Sequence, residues 1–347
     1  MIFILPGDID DPELPSGGNV YDRRISRELT ALGRSVREVT VGGTWPRPDP
    51  AARNALDRAL GSAAPGTLVV VDGLVACGVP EIVVPHASRL RLVVLVHMPL
   101  GDETGADPSL DALERSTLHA AWAVVTTSAR TADRLVRHHG LPAERVHVVT
   151  PGTDRTPLSS GDELLCLASL TPHKGQDVLV EALTSVADLG WACTLAGPVR
   201  RSPAFAAHVR DLVERHGLSG RVTITGPLTG QRLARTWMRA GLLVLPSRSE
   251  TYGMVVTEAL ARGIPVLASA AAEALGRAPD GSVPGILVPP GDAGALAKGL
   301  REWLTDPALR ESLRRSARSR RDSLVTWDTA ARVMDRILVE PDAGRHT

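Results

Sequence analysis

The chain reads as an α/β protein built from two Rossmann-like domains whose parallel sheets face an interdomain cleft. Three observations predict this. Twelve short apolar runs, β-branched and nearly continuous, alternate with amphipathic stretches, as parallel strands covered on both faces must. At 347 residues the chain is long for one core, and two domains of about 150 residues are the default. A Pro-, Gly-, Ser- and Thr-rich stretch, PGTDRTPLSSGDE (151–163), parts the runs six and six and reads as a linker.

Taken in order, the first six runs are MIFILP (1–6), SVREVTV (35–41), TLVVVDGL (67–74), LRLVVLVH (90–97), AAWAVVTTS (120–128) and RVHVVTPG (145–152). The second six are LLCLASL (164–170), WACTLAG (191–197), RVTITG (221–226), GLLVLPS (241–247), IPVLAS (264–269) and GILVPP (285–290). Helical patterns over 19–32, 129–138, 176–187, 204–216, 230–240 and 254–262 lie between them, the alternation of a parallel sheet with crossover helices. The last 40 residues are helical and arginine-rich, with Trp327 in TWDTAARVMDRIL.

Composition narrows the function classes. Hydrophobic residues make up 43% and charged residues 22%, and the net charge is zero. A neutral chain has no electrostatic footprint for non-specific nucleic-acid or anionic-membrane binding. Cys77, Cys166 and Cys193 are far apart, form no CxxC and are odd in number, which fits a reducing cytoplasm. MIFILP is too short for a signal-peptide core, and no apolar run approaches the roughly 20 residues of a membrane helix. The expectation is a soluble cytoplasmic protein. Lys174 and Lys298 are the only lysines among 39 basic residues, a hint that a compact ammonium is wanted where one stands.

The candidate site residues fall just after strand-like runs, where ligands of such sheets bind. In SRSETYGMVVTEALARGIPV, Glu250 precedes Gly253 and the helix start, and Glu258 lies a turn and a half into that helix. The helix start suits an anion. A carboxylate as deep as Glu258 is costly unless hydrogen-bonded, and a vicinal diol offers two donors. Equally, Glu250 favours a helix dipole and Glu258 pairs with an arginine; spacing alone leaves both readings open. In TPHKGQD, Lys174 follows LLCLASL and is placed to neutralise a diphosphate, or is simply a loop lysine. Gly17 and Gly18 before a helix let backbone approach a ligand, or form a flexible loop. His97 ends its strand, either to bond a ligand hydroxyl or as a structural histidine. Asp8 and Asp10 form a DxD, read as a solvated loop and not a metal site. The chain has no GxGxxG after its first strand, no GxSxG and no GxxxxGK[ST], which argues against a standard dinucleotide site, a hydrolase and a P-loop.

These residues together resemble the retaining, nucleotide-sugar-dependent glycosyltransferases of the GT-B fold, family 4 (the glycosyltransferase group 1 domain). PSRSETYGMVVTEALARGIPVLAS is similar to that family's E-x7-E signature, ASLTPHKGQDVLVEAL to its GRL…KG segment and VVTPGTD to its NGVD segment. The resemblance implies an acceptor-side domain over 1–155 and a nucleotide-sugar donor domain over 161–325. A C-terminal helix over 326–342 would pack back on the first domain. It implies that Glu258 holds the ribose hydroxyls, and that Glu250 with the backbone of Tyr252, Gly253, Met254 and Val255 holds the donor sugar and its phosphate. Lys174 would bind the diphosphate, with Gly17 and Gly18 closing over it. His97 would reach the transferred sugar, and Pro227-Leu228 would lie near the base. Two departures stand out: Ser169 occupies the place of the family arginine, and Ala270–Ala272 replaces a Gly-Gly, although Glu273 keeps the acidic position that follows. Arginines elsewhere, Arg248 among them, are candidates to replace the lost guanidinium.

The expected activity is metal-independent transfer of a sugar, with retention, from a UDP- or GDP-linked donor to a small or lipid-like acceptor hydroxyl. The diphosphate would assist a front-face displacement, with Lys174, Glu250 and His97 as the catalytic set. No cofactor besides the nucleotide sugar, no nucleic-acid partner and a possible homodimer are expected. The alternatives are a non-catalytic nucleotide-sugar binder and a sugar-nucleotide epimerase or sugar-phosphate synthase on the same fold.

Overall fold

The structure, a computed structural model, describes residues 1–102 and 107–339, with Ala272 described by its backbone alone. The chain divides into two compact units. One comprises Met1–Asp10, Gly18–Gly152 and the described residues from Val325 onward; the other comprises Asp11–Gly17 and Thr153–Leu324. The division falls at Gly152–Thr153, inside the stretch read as a linker, and the segment 11–17, expected in the first domain, groups with the second unit.

All twelve apolar runs are strands. In the first unit they are β1 (Ile2–Pro6), β2 (Arg37–Val41), β3 (Leu68–Asp72), β4 (Arg91–Val96), β5 (Ala123–Thr126) and β6 (Val146–Val148). They form one parallel sheet of order β2-β1-β3-β4-β5-β6. The helices α1 (Gly17–Ala31), α2 (Pro50–Gly61), α3 (Gly73–Ala76), α4 (Pro80–Ala87), α5 (Ser109–Ala120) and α6 (Ala129–His139) connect them. Both faces of the central strands are covered, which is why β1, β3 and β4 carry no alternation: Phe3, Ile4, Val70, Val71, Val93 and Val94 are all fully buried.

The second unit holds β7 (Glu163–Leu167), β8 (Cys193–Ala196), β9 (Val222–Gly226), β10 (Ala240–Leu245), β11 (Val266–Ala268) and β12 (Gly285–Leu287). The sheet is parallel, of order β12-β11-β10-β7-β8-β9. Its helices are α7 (Gln176–Thr184), α8 (Pro203–Arg215), α9 (Gly230–Arg239), α10 (Met254–Leu260), α11 (Ala272–Leu275), α12 (Ala293–Thr305) and α13 (Pro307–Arg321). Strand order reverses between β1 and β3 in the first sheet and between β7 and β10 in the second. Such switch points open a crevice beyond the carboxyl ends of the strands. The three cysteines are buried and free, and no helix among the described residues is long and apolar enough to cross a membrane.

The last helix, α14 (Trp327–Val339), belongs to the first unit; residues 340–342 of the helix expected there lie outside the described residues. Its anchor is Trp327, 5% exposed, edge-on to Tyr21 at 5.8 Å and capped by the Arg24 guanidinium at 5.3 Å. Tyr21 is itself fixed by donating its hydroxyl to the Val149 carbonyl at 2.9 Å. Gly152 lies so close to the helix start that a Cβ there would stand 2.3 Å from the Trp327 nitrogen. An ion pair between Arg34 and Asp335 closes the same contact. Truncating Trp327 removes a large buried surface that the rigid Tyr21 cannot refill. The variant Trp327→Ala should lose about 3–5 kcal/mol in chemical denaturation of this unit, and a change below about 1 kcal/mol would show that the helix is held elsewhere.

Candidate active site

The richest cluster of the second unit sits at its switch point. After β7 the chain makes a tight turn, Pro172–Lys174, and turns into α7 through Gly175 at φ 69°. A Cβ on Gly175 would lie 2.2 Å from the Pro246 carbonyl oxygen, so only glycine lets this turn rest on the end of β10. The close approach brings Lys174 to the loop after β10. Its Nζ lies 2.8 and 3.0 Å from the two oxygens of Glu250. Ser247 donates to the same carboxylate at 3.2 Å. Both ion-pair partners are largely enclosed, at 20% and 10% side-chain exposure. The sequence assigned Lys174 and Glu250 to separate tasks; the structure brings them together as an ion pair.

Around this pair, burial and the Lys174 charge pull His173 down to about 4, so it is neutral near pH 7. Gly253, at φ 95°, heads α10, and Tyr252 beside it is buried, its phenol pushed up to about 12 by burial. Met254 and Val255 are half-buried and Leu228 is buried after β9. The helix expected over 254–262 ends at Leu260, where Ala261 leads into a turn. Seven residues give it little macrodipole, so phosphate affinity from the helix alone is small. Arg248, the arginine beside the signature, forms a two-pronged pair with Asp177 at 3.0 and 2.7 Å. Ser169 instead offers its backbone carbonyl to Thr171 and Gln176.

Glu258 is the unusual group. Its side chain has no hydrogen-bond donor or ion-pair partner among the described residues. Burial pushes its carboxyl up to about 7 against the opposing pull of Arg262. Arg262 does not close an ion pair with it: the guanidinium stacks on Trp237 at 4.6 Å and donates to the Glu258 backbone carbonyl at 2.7 Å. The arginine reading of Glu258 therefore describes a neighbour and not a partner. A half-buried carboxylate without donors keeps its capacity to accept hydrogen bonds unused.

In the first unit, His97 directly follows β4, with Nε2 2.8 Å from Asp22 Oδ1 on α1 and 3.8 Å from Asp72 Oδ2 at the end of β3. Gly18 lets α1 approach: a Cβ there would meet His97 Cδ2 at 3.1 Å. Gly17 groups instead with the second unit. Asp22 and Asp72 escaped the sequence reading, although Asp72 is the one charged residue of the run LVVVD. Asp10 of the DxD forms an ion pair with Arg23.

The raised Glu258 carboxyl has a signature in stability. Its folded pKa stands above the unfolded value of 4.5, so the folded state loses stability as pH rises from about 4.5 through 7. Glu258→Gln cannot ionise. Its unfolding free energy relative to wild type should grow by roughly 1–3 kcal/mol between pH 5 and pH 8, measured by denaturant titration at both values. An unchanged difference would mean that Glu258 is solvated.

Two family models account for most of the chain. The one described as glycosyl transferases group 1 matches residues 157–320, and the one described as glycosyltransferase family 4 matches residues 15–156. Among curated proteins, the chain is 34% identical over 262 residues to D-inositol 3-phosphate glycosyltransferase 1 of Catenulispora acidiphila, covering 69% of this chain and 62% of that one. It is 31% identical over 241 residues to D-inositol 3-phosphate glycosyltransferase of Streptomyces avermitilis, covering 63% and 52%. The chain thus spans between about half and three fifths of the length of these relatives. Among solved structures, sucrose-phosphate synthase from Thermosynechococcus elongatus superposes with a TM-score of 0.79 at 22% identity, over 97% of this chain and 98% of that one. Anabaena Alr3699/HepE, in complex with UDP and glucose, gives 0.79 at 17% identity over 97% and 99%. At these identities the structures speak for the fold, which is GT-B. With both family models matched in sequence order, the chain belongs to the group 1, family 4 glycosyltransferases.

Proposed function

We propose that the protein transfers a sugar from a nucleoside-diphosphate sugar to an acceptor hydroxyl, with retention at the anomeric carbon and without a metal requirement. The observation that carries this reading is Glu258, a half-buried carboxylate with no donor among the described residues, on the helix that follows the Lys174–Glu250 pair. A ribose supplies two adjacent hydroxyl donors, which would stabilise the ionised form and release the desolvation cost. Lys174 is the cation for the diphosphate. When the phosphates arrive they compete with Glu250 for its ammonium, and the freed carboxylate is then an acceptor for hydroxyls of the donor sugar. Gly253 and the backbone of Tyr252–Val255 approach the same ligand, and Leu228 packs near the base. His97, in the first unit, is assigned to a hydroxyl of the transferred sugar.

The chemistry follows from these assignments. Cleavage of the glycosidic bond to the diphosphate builds negative charge on the leaving oxygen, which Lys174 offsets. The departing diphosphate takes the acceptor proton on the face it leaves, so that the protein positions and neutralises and needs no dedicated base. The relatives in Catenulispora acidiphila and Streptomyces avermitilis are D-inositol 3-phosphate glycosyltransferases, which makes phosphorylated polyols the first acceptor class to try. A UDP-linked donor is the first choice, since Alr3699/HepE is described with UDP-glucose.

Two substitutions test the roles separately. Glu258→Ala should weaken nucleoside-diphosphate binding by roughly 10–100-fold in calorimetry, the worth of hydrogen bonds to a charged group. Lys174→Ala should lower turnover by roughly 100–1,000-fold in a product assay run with UDP- and GDP-sugars. Unchanged binding and turnover in both variants would overturn the site, and binding without turnover across a broad acceptor panel would favour a nucleotide-sugar binder.

A further inference from the structure

The cluster Asp22, Asp72 and His97 lies at the switch point of the first sheet, where strand order reverses between β1 and β3. One donor atom from each residue lies within 4.8 Å of the others. Asp22 and Asp72 are buried, at 0% and 3% exposure. Two carboxylates cannot both stay ionised in such a place without cations beside them. Tyr21 faces His97 edge-on at 5.2 Å, Arg23 lies on the same helix and favours the Asp22 charge, and the Cys77 thiol near Asp72 is pushed well up by burial. None of these provides a second positive charge inside the cluster.

The hydrogen bonds leave one oxygen of each carboxylate without a donor among the described residues. Asp72 Oδ1 accepts the Leu74 N–H at 2.6 Å, and its Oδ2 has no donor among the described residues. Asp22 Oδ1 faces His97 Nε2 at 2.8 Å, while Asp22 Oδ2 is buried with no hydrogen-bond partner. A proton on Asp72 makes it the donor that Asp22 lacks. Burial pushes Asp22 up to about 7 and Asp72 up to about 8, and burial pulls His97 down.

We propose that Asp22 and Asp72 share one proton and act as a positioning pair that locks His97 in its Nε2–H tautomer, leaving Nδ1 as a hydrogen-bond acceptor. The balance is simple: Asp72 O–H donates to the Asp22 carboxylate, His97 Nε2–H donates to Asp22 Oδ1, and the cluster carries a single negative charge. Nδ1 has no partner among the described residues, and the side chain retains 19% exposure. A ring held this way accepts from a hydroxyl and cannot donate to one, which selects the ligand orientation that offers an O–H. In its functional meaning this inference rests on the assignment of His97 to a sugar hydroxyl; in its chemistry it does not.

The test is the histidine tautomer itself, read from long-range proton–nitrogen correlation spectra of histidine-labelled full-length protein, with His97→Ala identifying the signal. At pH 7.5 the wild type should show His97 as the neutral Nε2–H form. Asp72→Asn should keep that form, because the amide NH2 replaces the shared proton as donor to Asp22. Asp22→Ala should lose it and give a mixed tautomer, with kcat/KM lowered roughly 10–100-fold and nucleotide affinity unchanged. An Nδ1–H or imidazolium His97 in the wild type, or a pure Nε2–H form in Asp22→Ala, would overturn the proposal. So would stoichiometric binding of added zinc by the wild type that Asp22→Ala abolishes, since a cation would then do the work of the proton. If Asp22→Ala does not fold, the wild type and Asp72→Asn spectra decide alone. The tautomer result stands even if no transfer activity is found, so the two readings fail separately.

Discussion

A carboxylate withdrawn from water must find a donor or resist ionising, and the chain holds several such groups at and beyond the ends of its strands. Glu250 has the ammonium of Lys174 and the hydroxyl of Ser247. Asp22 and Asp72 have a histidine and each other. Glu258 has no hydrogen-bond donor among the described residues, and burial pushes its carboxyl up to about 7. A half-buried carboxylate without a donor lowers the stability of the folded state once it ionises. The same logic explains why the two lysine-poor units hold their generic charge elsewhere. Many of the arginines of α13 cap backbone carbonyls, such as Arg314 on Gly161 and Arg321 on Thr156, and do not form a free cationic face.

The framework that holds these groups in place is rigid for local reasons. Parallel strands buried on both faces fix the positions of Asp72 and His97 at strand ends and of Glu250 in the loop after β10, while glycines remove the Cβ atoms that would keep neighbouring elements apart. Gly175 does this for the Lys174 turn against Pro246, and Gly18 does it for α1 against His97. A side chain at Gly175 would displace backbone and one at Gly18 would press on the His97 ring, so the chemistry depends on atoms that are absent as much as on those present.

Much of this architecture is readable in the residues. Continuous β-branched runs such as VVLV in β4 admit few other interpretations, and each of the twelve became a strand. Helix α2 lies outside the predicted helical patterns although its start is explicit: Asp49 accepts the Ala52 N–H at 2.8 Å and Pro50 opens the first turn, a capping signal weaker than an apolar stripe. The site was legible where spacing carries meaning, as in the two glutamates and the lysine of TPHKG. It was not legible where a contact crosses the chain. The Lys174–Glu250 pair joins residues 76 positions apart, and the His97–Asp22 bond joins residues 75 apart. Pairing of that kind is decided by sheet order, which no local pattern states. Arg248 illustrates the same point, since its pairing with Asp177, 71 positions away, is invisible in the local pattern.

The central claim is that Glu258 is kept without a donor so that a ribose diol can supply one. A thermodynamic cycle between ligand and protein tests it most directly, comparing the affinity of the preferred nucleoside diphosphate with that of its 2′,3′-dideoxy analogue in wild type and in Glu258→Gln. The account predicts that removing the hydroxyls weakens wild-type binding by roughly 10–100-fold, as expected for hydrogen bonds to a charged acceptor, and has little effect in the variant. Equal losses in both proteins would contradict it, because the hydroxyls would then be held by some other group.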